Sequence, residues 1–454
     1  MRKAAFIVWV FMILGCGTEK DLAKQRRDWP EWAKRKPVTE GYYTGIGSAP
    51  KTANIDRYKQ IARQNALNNL AGEISVTVSG RSVLHTVEVN YNLSEYFSSR
   101  IITSSEEELE GYELVDTFED ADRYFVYYRL SRSLFEKIKR ERMEKAMDKA
   151  KTEWKKAMDY RDKGAYRNAL VSQVKGLHEL RNFLNEPLKT TLDDREVYLG
   201  NALVYQIQYT LDNIRILPSR ESIVATRGYP VTAGQLRFRI TDSDGRPLGS
   251  VPVKAGFTAQ SMVFDQAVSD PEGYASFRVE KLSTRSPSGE FRVSPDLDKI
   301  LQSATSDLIV RRIVRGMQTP SAVVNIRIRE PVFHVTSTEQ NLGKPLEAPL
   351  LKEAFVSALL SEGYQVAASR PPADFFVEIR ADTEEKSRYN RRYKTILTYS
   401  ITVRDKAGAI EFSKVNRGIE GEQVNFQSAG LGAYEQGAAE IRLRDIDEVM
   451  YHIF

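Results

Sequence analysis

An unbroken apolar run of eleven residues, Ala4 to Leu14, follows Arg2 and Lys3 and ends just before Gly15 and Cys16. The run is too short to cross a bilayer as a stable helix. It has the length of a signal-peptide hydrophobic region. Cys16 is the only cysteine in the sequence, so no intrachain disulfide can staple the fold. The rest of the chain must fold by packing and hydrogen bonding alone.

Ile13-Leu14-Gly15-Cys16 resembles the lipobox of bacterial lipoproteins. The resemblance implies that the Cys16 sulfur receives a diacylglyceryl group, that residues 1–15 are removed and that the new amino group is acylated. Several acyl chains, at ~0.8 kcal/mol per buried CH₂, make a stable anchor where one chain is marginal. The alternative is an uncleaved signal anchor with an incidental cysteine. Gly17, not Asp, follows Cys16. An Asp at that position retains enteric lipoproteins in the inner membrane. The expected location is therefore the outer membrane, with the fold on its periplasmic or surface face.

A chain of 454 residues exceeds what one hydrophobic core holds and implies three or four domains. Its formal charge of +5 falls to +3 without Arg2 and Lys3. That surplus does not make a nucleic-acid surface. No later apolar run is long enough to span a membrane.

The expected fold class is multidomain α+β. Residues 16–28 read as a lipidated tether, polar and charged. Residues 29–132 read as an α+β domain, opening with Trp29-Pro30-Glu31-Trp32 and then Gly45-Ile46-Gly47. The glycine pair lacks the third glycine of a dinucleotide fingerprint and reads as a glycine-kinked strand and turn. Ile55, Tyr58, Ile61, Ala62, Ala66, Leu67 and Leu70 recur at helical steps over 52–72. Ile74 to Val78 and Val83 to Val89 alternate as strands, with a turn at Ser79-Gly80-Arg81. A helix over Tyr91 to Ser104 and strands at Tyr112 to Phe118 and Tyr124 to Leu130 complete the pattern.

These residues carry a second resemblance. Trp29 to Trp32, Tyr43 to Ala49, Ala62 to Leu70, Ile74 to Val78 and Tyr127 to Leu130 look like the Lpp-twenty family of outer-membrane lipoproteins, over roughly residues 28 to 140. The family implies a non-enzymatic envelope lipoprotein, some of whose members serve flagellar or surface assemblies. It defines no catalytic residues.

Residues 133–216 read as a charged helical region. Ala157, Tyr160, Gly164, Tyr166, Ala169 and Leu170 resemble one tetratricopeptide unit, with a plain helical hairpin as the alternative. Asp193 to Ile216 is expected to be a further helix. Residues 217–329 read as a β-sandwich. Asp242-Ser243-Asp244-Gly245-Arg246-Pro247-Leu248, followed by Val251 to Val253, resembles immunoglobulin-like and carboxypeptidase-regulatory-like sandwiches. Turn chemistry is favoured over calcium for Asp242, Asp244 and Asp270. Residues 330–454 read as a C-terminal α+β domain with a helix at Pro349 to Ser361, strands at Val332 to Val335, Tyr364 to Ala367 and Asp374 to Ala381, a hairpin at Tyr393 to Val415 and a last helix at Ala429 to Met450.

No catalytic residue, metal site or cofactor is expected. His85, His178, His334 and His452 fall in four separate regions without metal-ligand spacing. There is no nucleophile elbow and no phosphate loop. Glu106 to Glu108 and Asp193-Asp194 read as solvated charge. The unusual surface stretch is Arg388-Tyr389-Asn390-Arg391-Arg392-Tyr393-Lys394. Arg forks match phosphate and carboxylate, and tyrosines stack on sugar rings. Arg388, Tyr389, Arg391, Arg392, Tyr393 and Lys394 are thus candidate contacts for lipopolysaccharide, peptidoglycan or an acidic partner, against a plain solvated hairpin flank. The leading expectation is a scaffold or accessory factor for an envelope assembly. A wall-polymer binding module comes next and an envelope-polymer hydrolase last. The expected partners are the membrane, through Cys16, and envelope proteins, with no nucleic acid.

Overall fold

The alternation of hydrophobic periods becomes a mixed α+β structure in this computed structural model, which describes residues 29–74, 80–91, 109–192 and 194–454. Cys16 and its tether, the alternating stretch over 75–79, most of the helix expected at Tyr91 to Ser104, and Glu106 to Glu108 lie outside the described residues. The chain divides into two compact units, Met1–Leu211 with Leu297–Gln318, and Asp212–Asp296 with Thr319–Phe454.

The first unit opens with the short helix α1 (Glu31–Lys34), β1 (Tyr42–Pro50), α2 (Ile55–Glu73) and α3 (Val83–Tyr91), then β2 (Glu113–Glu119) and β3 (Arg123–Ser131). The sheet order is β1-β3-β2, all antiparallel, with Ile46 opposite Tyr127 and Phe118 opposite Phe125. Alternation along β3 gives the sheet two apolar faces. Tyr124, Val126, Tyr128 and Leu130 pack with α2. Phe125 and Tyr127 meet Trp29 and Trp32, at ring-centroid distances of 4.5 and 5.7 Å. The indole N–H of Trp29 donates to Asp120 and that of Trp32 to Asp116, each at 2.9 Å. The Trp-Pro-Glu-Trp motif is therefore a clamp on the sheet face opposite α2.

Gly45 and Gly47 do not kink β1. A Cβ at Gly47 would collide with the backbone of Ala62 and Ala66, and one at Gly45 with Ala66 and Leu70. The glycines let α2 lie against the strand. That contact selects small residues at Ala62 and Ala66, with Leu70 completing the buried stripe at four-residue steps, while Ile55 and Ile61 face outward.

Val83 to Val89, expected as a strand, begins a helix instead. Val83, Leu84 and Val87 are buried, a helical spacing that the same valines disguise as alternation. Ser82 caps it, its Oγ accepting the N–H of His85 at 3.3 Å.

The unit continues with α4 (Arg132–Asp162) and α5 (Tyr166–Glu179), a hairpin turned at Gly164 with φ +74°. Asp193 to Ile216 is not one helix. A hairpin of β4 (Lys189–Leu192) and β5 (Arg195–Tyr198) precedes α6 (Leu199–Asp212). Asp194, at φ +60°, takes a left-handed turn conformation that Asp tolerates. Two short helices, α7 (Leu297–Ala304) and α8 (Leu308–Arg315), lie within the stretch read as sandwich yet belong to this unit, α7 packing against α5. His178 of α5 meets Thr305 at 2.7 Å.

The second unit holds β6 (Arg215–Pro218), β7 (Ser222–Thr226), β8 (Val231–Thr241), β9 (Pro252–Phe257), β10 (Gln266–Val268), β11 (Tyr274–Val279), β12 (Ser288–Pro295) and β13 (Ala322–Arg329). They form sheets ordered β10-β9-β12-β13-β7 and β11-β8-β6. Phe238 and Phe277 of the small sheet meet Phe291 of the large one at 6.1 and 5.7 Å. Asp242 Oδ1 accepts the N–H groups of Asp244 and Arg246, and Asp270 Oδ1 that of Tyr274, so these carboxylates organise turns.

The rest of this unit is a sheet ordered β15-β14-β17-β18-β19, with β16 also on β14. Its strands are β14 (Val332–Asn341), β15 (Lys344–Pro345), β16 (Gln365–Val366), β17 (Phe375–Tyr389), β18 (Arg392–Arg404) and β19 (Ile410–Gln423). Helices α9 (Leu350–Ser361), α10 (Phe426–Glu440) and α11 (Ile446–Ile453) share its core, with Phe333, Phe355, Phe375, Tyr399 and Tyr434 fully buried. The expected last helix is interrupted by a π-helical turn, Ile441–Asp445. Pro349 offers α9 no cap, and buried Glu339 supplies one, accepting the N–H groups of Leu351 and Lys352 at 2.9 and 3.0 Å.

Candidate functional site

The Arg/Tyr stretch forms the tip of the β17–β18 hairpin. β17 pairs with β14 only as far as Ala381, and Thr383 is its last buried residue. Glu384 to Tyr389 are all exposed, six residues that carry this edge about 20 Å past the core at ~3.3 Å per residue. A bulge between Glu385 and Ser387 and alternating charge blunt that edge against strand addition.

Asn390 and Arg391 make the two-residue turn, both with positive φ, +47° and +63°. This is the geometry of a tight hairpin turn, where Asn-Gly is the favoured pair. Arg391 holds a position that glycine occupies at roughly 1 kcal/mol less strain.

The cations of the cluster do not stand alone. Arg392 Nη1 meets Glu422 at 2.8 Å, Lys394 lies 3.3 Å from Glu422 and 3.6 Å from Glu420, and Lys386 contacts Glu420. Hydrogen bonding from Lys386 holds the Glu420 carboxyl below its ordinary range, and Arg392 does the same to Glu422. The Arg388 guanidinium lies 4.9 Å from the Tyr393 ring, which meets Phe426 edge-on at 4.8 Å. Over 384–394 and 419–423 there are five cations and four carboxylates. The ribbon is a nearly balanced, alternating surface. Tyr389 is 76% exposed, and Arg391 is exposed at the turn.

Glu420 and Glu422 escaped the sequence reading. They lie about thirty residues away, and only the β18–β19 register places Glu422 opposite Lys394. The same holds for Asp374, whose carboxylate takes Arg329 in a two-point fork at 2.6 and 2.7 Å and Lys406 at 2.6 Å.

His85 is exposed on α3, His334 bonds the Ala367 carbonyl, and His452 bonds the Glu448 carbonyl. Burial pushes the His178 imidazole down. Among the described residues no three His, Cys, Asp or Glu side chains gather as a metal site, and no helix is long and apolar enough to cross a membrane.

Fold and surface define a multidomain α+β protein that carries a tryptophan-clamped sheet domain near its N-terminus. Residues 30–131 match the family model described as LPP20 lipoprotein, so this stretch, which ends with β3, is a domain of that family. The match supports a lipoprotein of the cell envelope. Local likeness extends to several solved structures. The hypothetical protein CT253 from Chlamydia trachomatis is 14% identical, with 26% of this chain and 98% of that one covered and a TM-score of 0.18. A minor lipoprotein from Acinetobacter baumannii is 9% identical, with 26% and 94% covered and a TM-score of 0.19. Lipoprotein GNA1162 from Neisseria meningitidis is 13% identical, with 25% and 97% covered and a TM-score of 0.17. No curated protein matches the chain.

Proposed function

We propose that this protein is a non-enzymatic accessory factor of the outer membrane, anchored through lipid on Cys16, and that it engages a protein partner through the β17–β18 ribbon. The observation that carries this reading is Arg391. A charged side chain is kept in left-handed backbone at the tip of a projecting hairpin, at a conformational cost that folding gains nothing from. The near-balance of charge along the ribbon favours a protein surface of alternating charge over a polyanion, which would need a clear basic surplus. The exposed Tyr389 supports a second reading, in which the ribbon stacks on the sugar rings of wall polymer or lipopolysaccharide.

In-cell crosslinking with mass spectrometry on the native chain, Cys16→Ser and Arg391→Gly tests the first reading. A discrete partner set is expected, reduced by either substitution, while Arg391→Gly raises stability by about 1 kcal/mol. The same partners at undiminished yield with Arg391→Gly would overturn it. Sedimentation with purified sacculi that depends on Tyr389 would favour the second.

A further inference from the structure

Asp374 is 1% exposed, and its two oxygens receive four donors. Oδ1 takes Arg329 Nη2 at 2.7 Å and Lys406 Nζ at 2.6 Å; Oδ2 takes Arg329 Nη1 at 2.6 Å and the Val332 N–H at 2.9 Å. Tyr229 braces the same residue, its hydroxyl donating to the Asp374 carbonyl at 2.5 Å and accepting the Lys406 N–H at 3.2 Å. The carboxylate is saturated, but its partners are not. Lys406 and Arg329 remain 52% and 40% exposed. An ammonium has three donors and a guanidinium five, so both keep donors in reserve.

These two cations border a surface groove of about 540 Å³ lined by Arg329, Val332, Arg370, Pro371, Pro372, Ala373, Phe376 and Lys406. Arg370 is the third cation. Its guanidinium lies 5.1 Å from the Phe376 ring centroid, and it has no hydrogen-bond or ion-pair partner among the described residues. No carboxylate lines the groove, whereas three cations do; Asp374 lies beneath Arg329 and Lys406, and Asp405 and Glu411 bear on the Tyr229 phenol behind it. The walls between the cations are apolar: Val332, Ala373, Phe376 and two prolines.

We propose that this groove binds a phosphate monoester carried on an apolar body. A monoester bears about −1.5 to −2 charge at neutral pH, enough to engage all three cations that line the groove. Its three acceptor oxygens suit one ammonium and two guanidinium forks. Asp374 holds Arg329 and Lys406 side by side in advance, so little ordering remains to be done on binding.

The test uses the full chain at low salt. Inorganic phosphate is titrated by calorimetry, and flotation is measured with phosphatidylcholine vesicles that contain phosphatidic acid or, for comparison, phosphatidylglycerol. Saturable binding of inorganic phosphate, weakened at least tenfold in Arg370→Ala and in Lys406→Ala, shows that the group itself is recognised. Flotation with phosphatidic acid alone, lost in the same variants, supports the proposal with a lipid as the source. Arg370→Ala removes no hydrogen bond and keeps the native melting temperature, so its effect is read on a folded protein. Neither probe binding, both variants binding as the native chain does, or equal flotation with phosphatidylglycerol would overturn the proposal.

Discussion

The side-chain carbonyl of Asn69 accepts the backbone N–H of Ile46 at 3.2 Å. It is the middle rung of three. Asn65 donates to the Ser48 carbonyl at 3.0 Å, and Glu73 accepts the Thr44 N–H at 2.6 Å. Four helical residues advance ~6.0 Å and two strand residues ~6.6 Å, so α2 and β1 stay in step over this length. β1 is an edge strand, and the α2 side chains occupy the hydrogen-bonding positions that another strand would take.

Removing the last rung should therefore cost folding. Thr44 is fully buried, so Glu73→Ala leaves its N–H without that acceptor, while its hydroxyl keeps the Pro37 carbonyl at 3.1 Å. A loss of about 1–3 kcal/mol is expected in urea denaturation. The triple variant Asn65→Ala, Asn69→Ala, Glu73→Ala should self-associate through β1 in sedimentation velocity.

Gly47 and Gly72 should respond in opposite directions. Gly47→Ala drives a methyl group into the α2 backbone and should destabilise by roughly 3 kcal/mol or more. Gly72 sits in α2 with nothing within 4 Å of its would-be Cβ, so Gly72→Ala should stabilise by up to about 1 kcal/mol. Thermal melts of the two variants check both signs.

Acid should weaken the second unit through Asp374. Burial raises its pKa, but Arg329, Lys406 and the Val332 N–H outweigh burial and bring it down to about 2. An unfolded Asp titrates near ~3.9. The folded value is the lower one, so this stability is complete above about pH 5 and is lost as the pH falls toward 2. The loss is about 2 kcal/mol, and Asp374→Asn should flatten that segment of the stability–pH curve.

Tyr399→Phe should cost about 1.5–3 kcal/mol in urea denaturation, as the phenol is one of three donors to buried Asp445. Lys414 and Asn416 are the other two, at 2.8 and 2.9 Å. Burial pushes the Tyr399 phenol up, so it stays a donor across the working pH range.

Much of the architecture was written locally. The helices at 132–162 and 350–361 and the strands around Tyr274 and Asp374 follow from periodicity and turn residues, which act within a few positions. The failures share one cause. Val83 and Val87 satisfy both periods, and burial of Leu84 decided for the helix. Asp193 to Ile216 concealed a hairpin ahead of α6, since a two-residue turn leaves almost no local trace.

The sequence by itself determined the apolar segment ending at Cys16, the α+β character, the tryptophan motif and the basic stretch at Arg388 to Lys394, because composition and short-range spacing carry these. Only the tertiary structure decided what they do. It put Glu420 and Glu422 beside the cations of the ribbon, turned Gly45 and Gly47 into a seat for α2, and brought Arg329, Arg370 and Lys406 around Asp374. Such groupings depend on strand register and on packing between distant segments, and neither leaves a periodic mark in the chain.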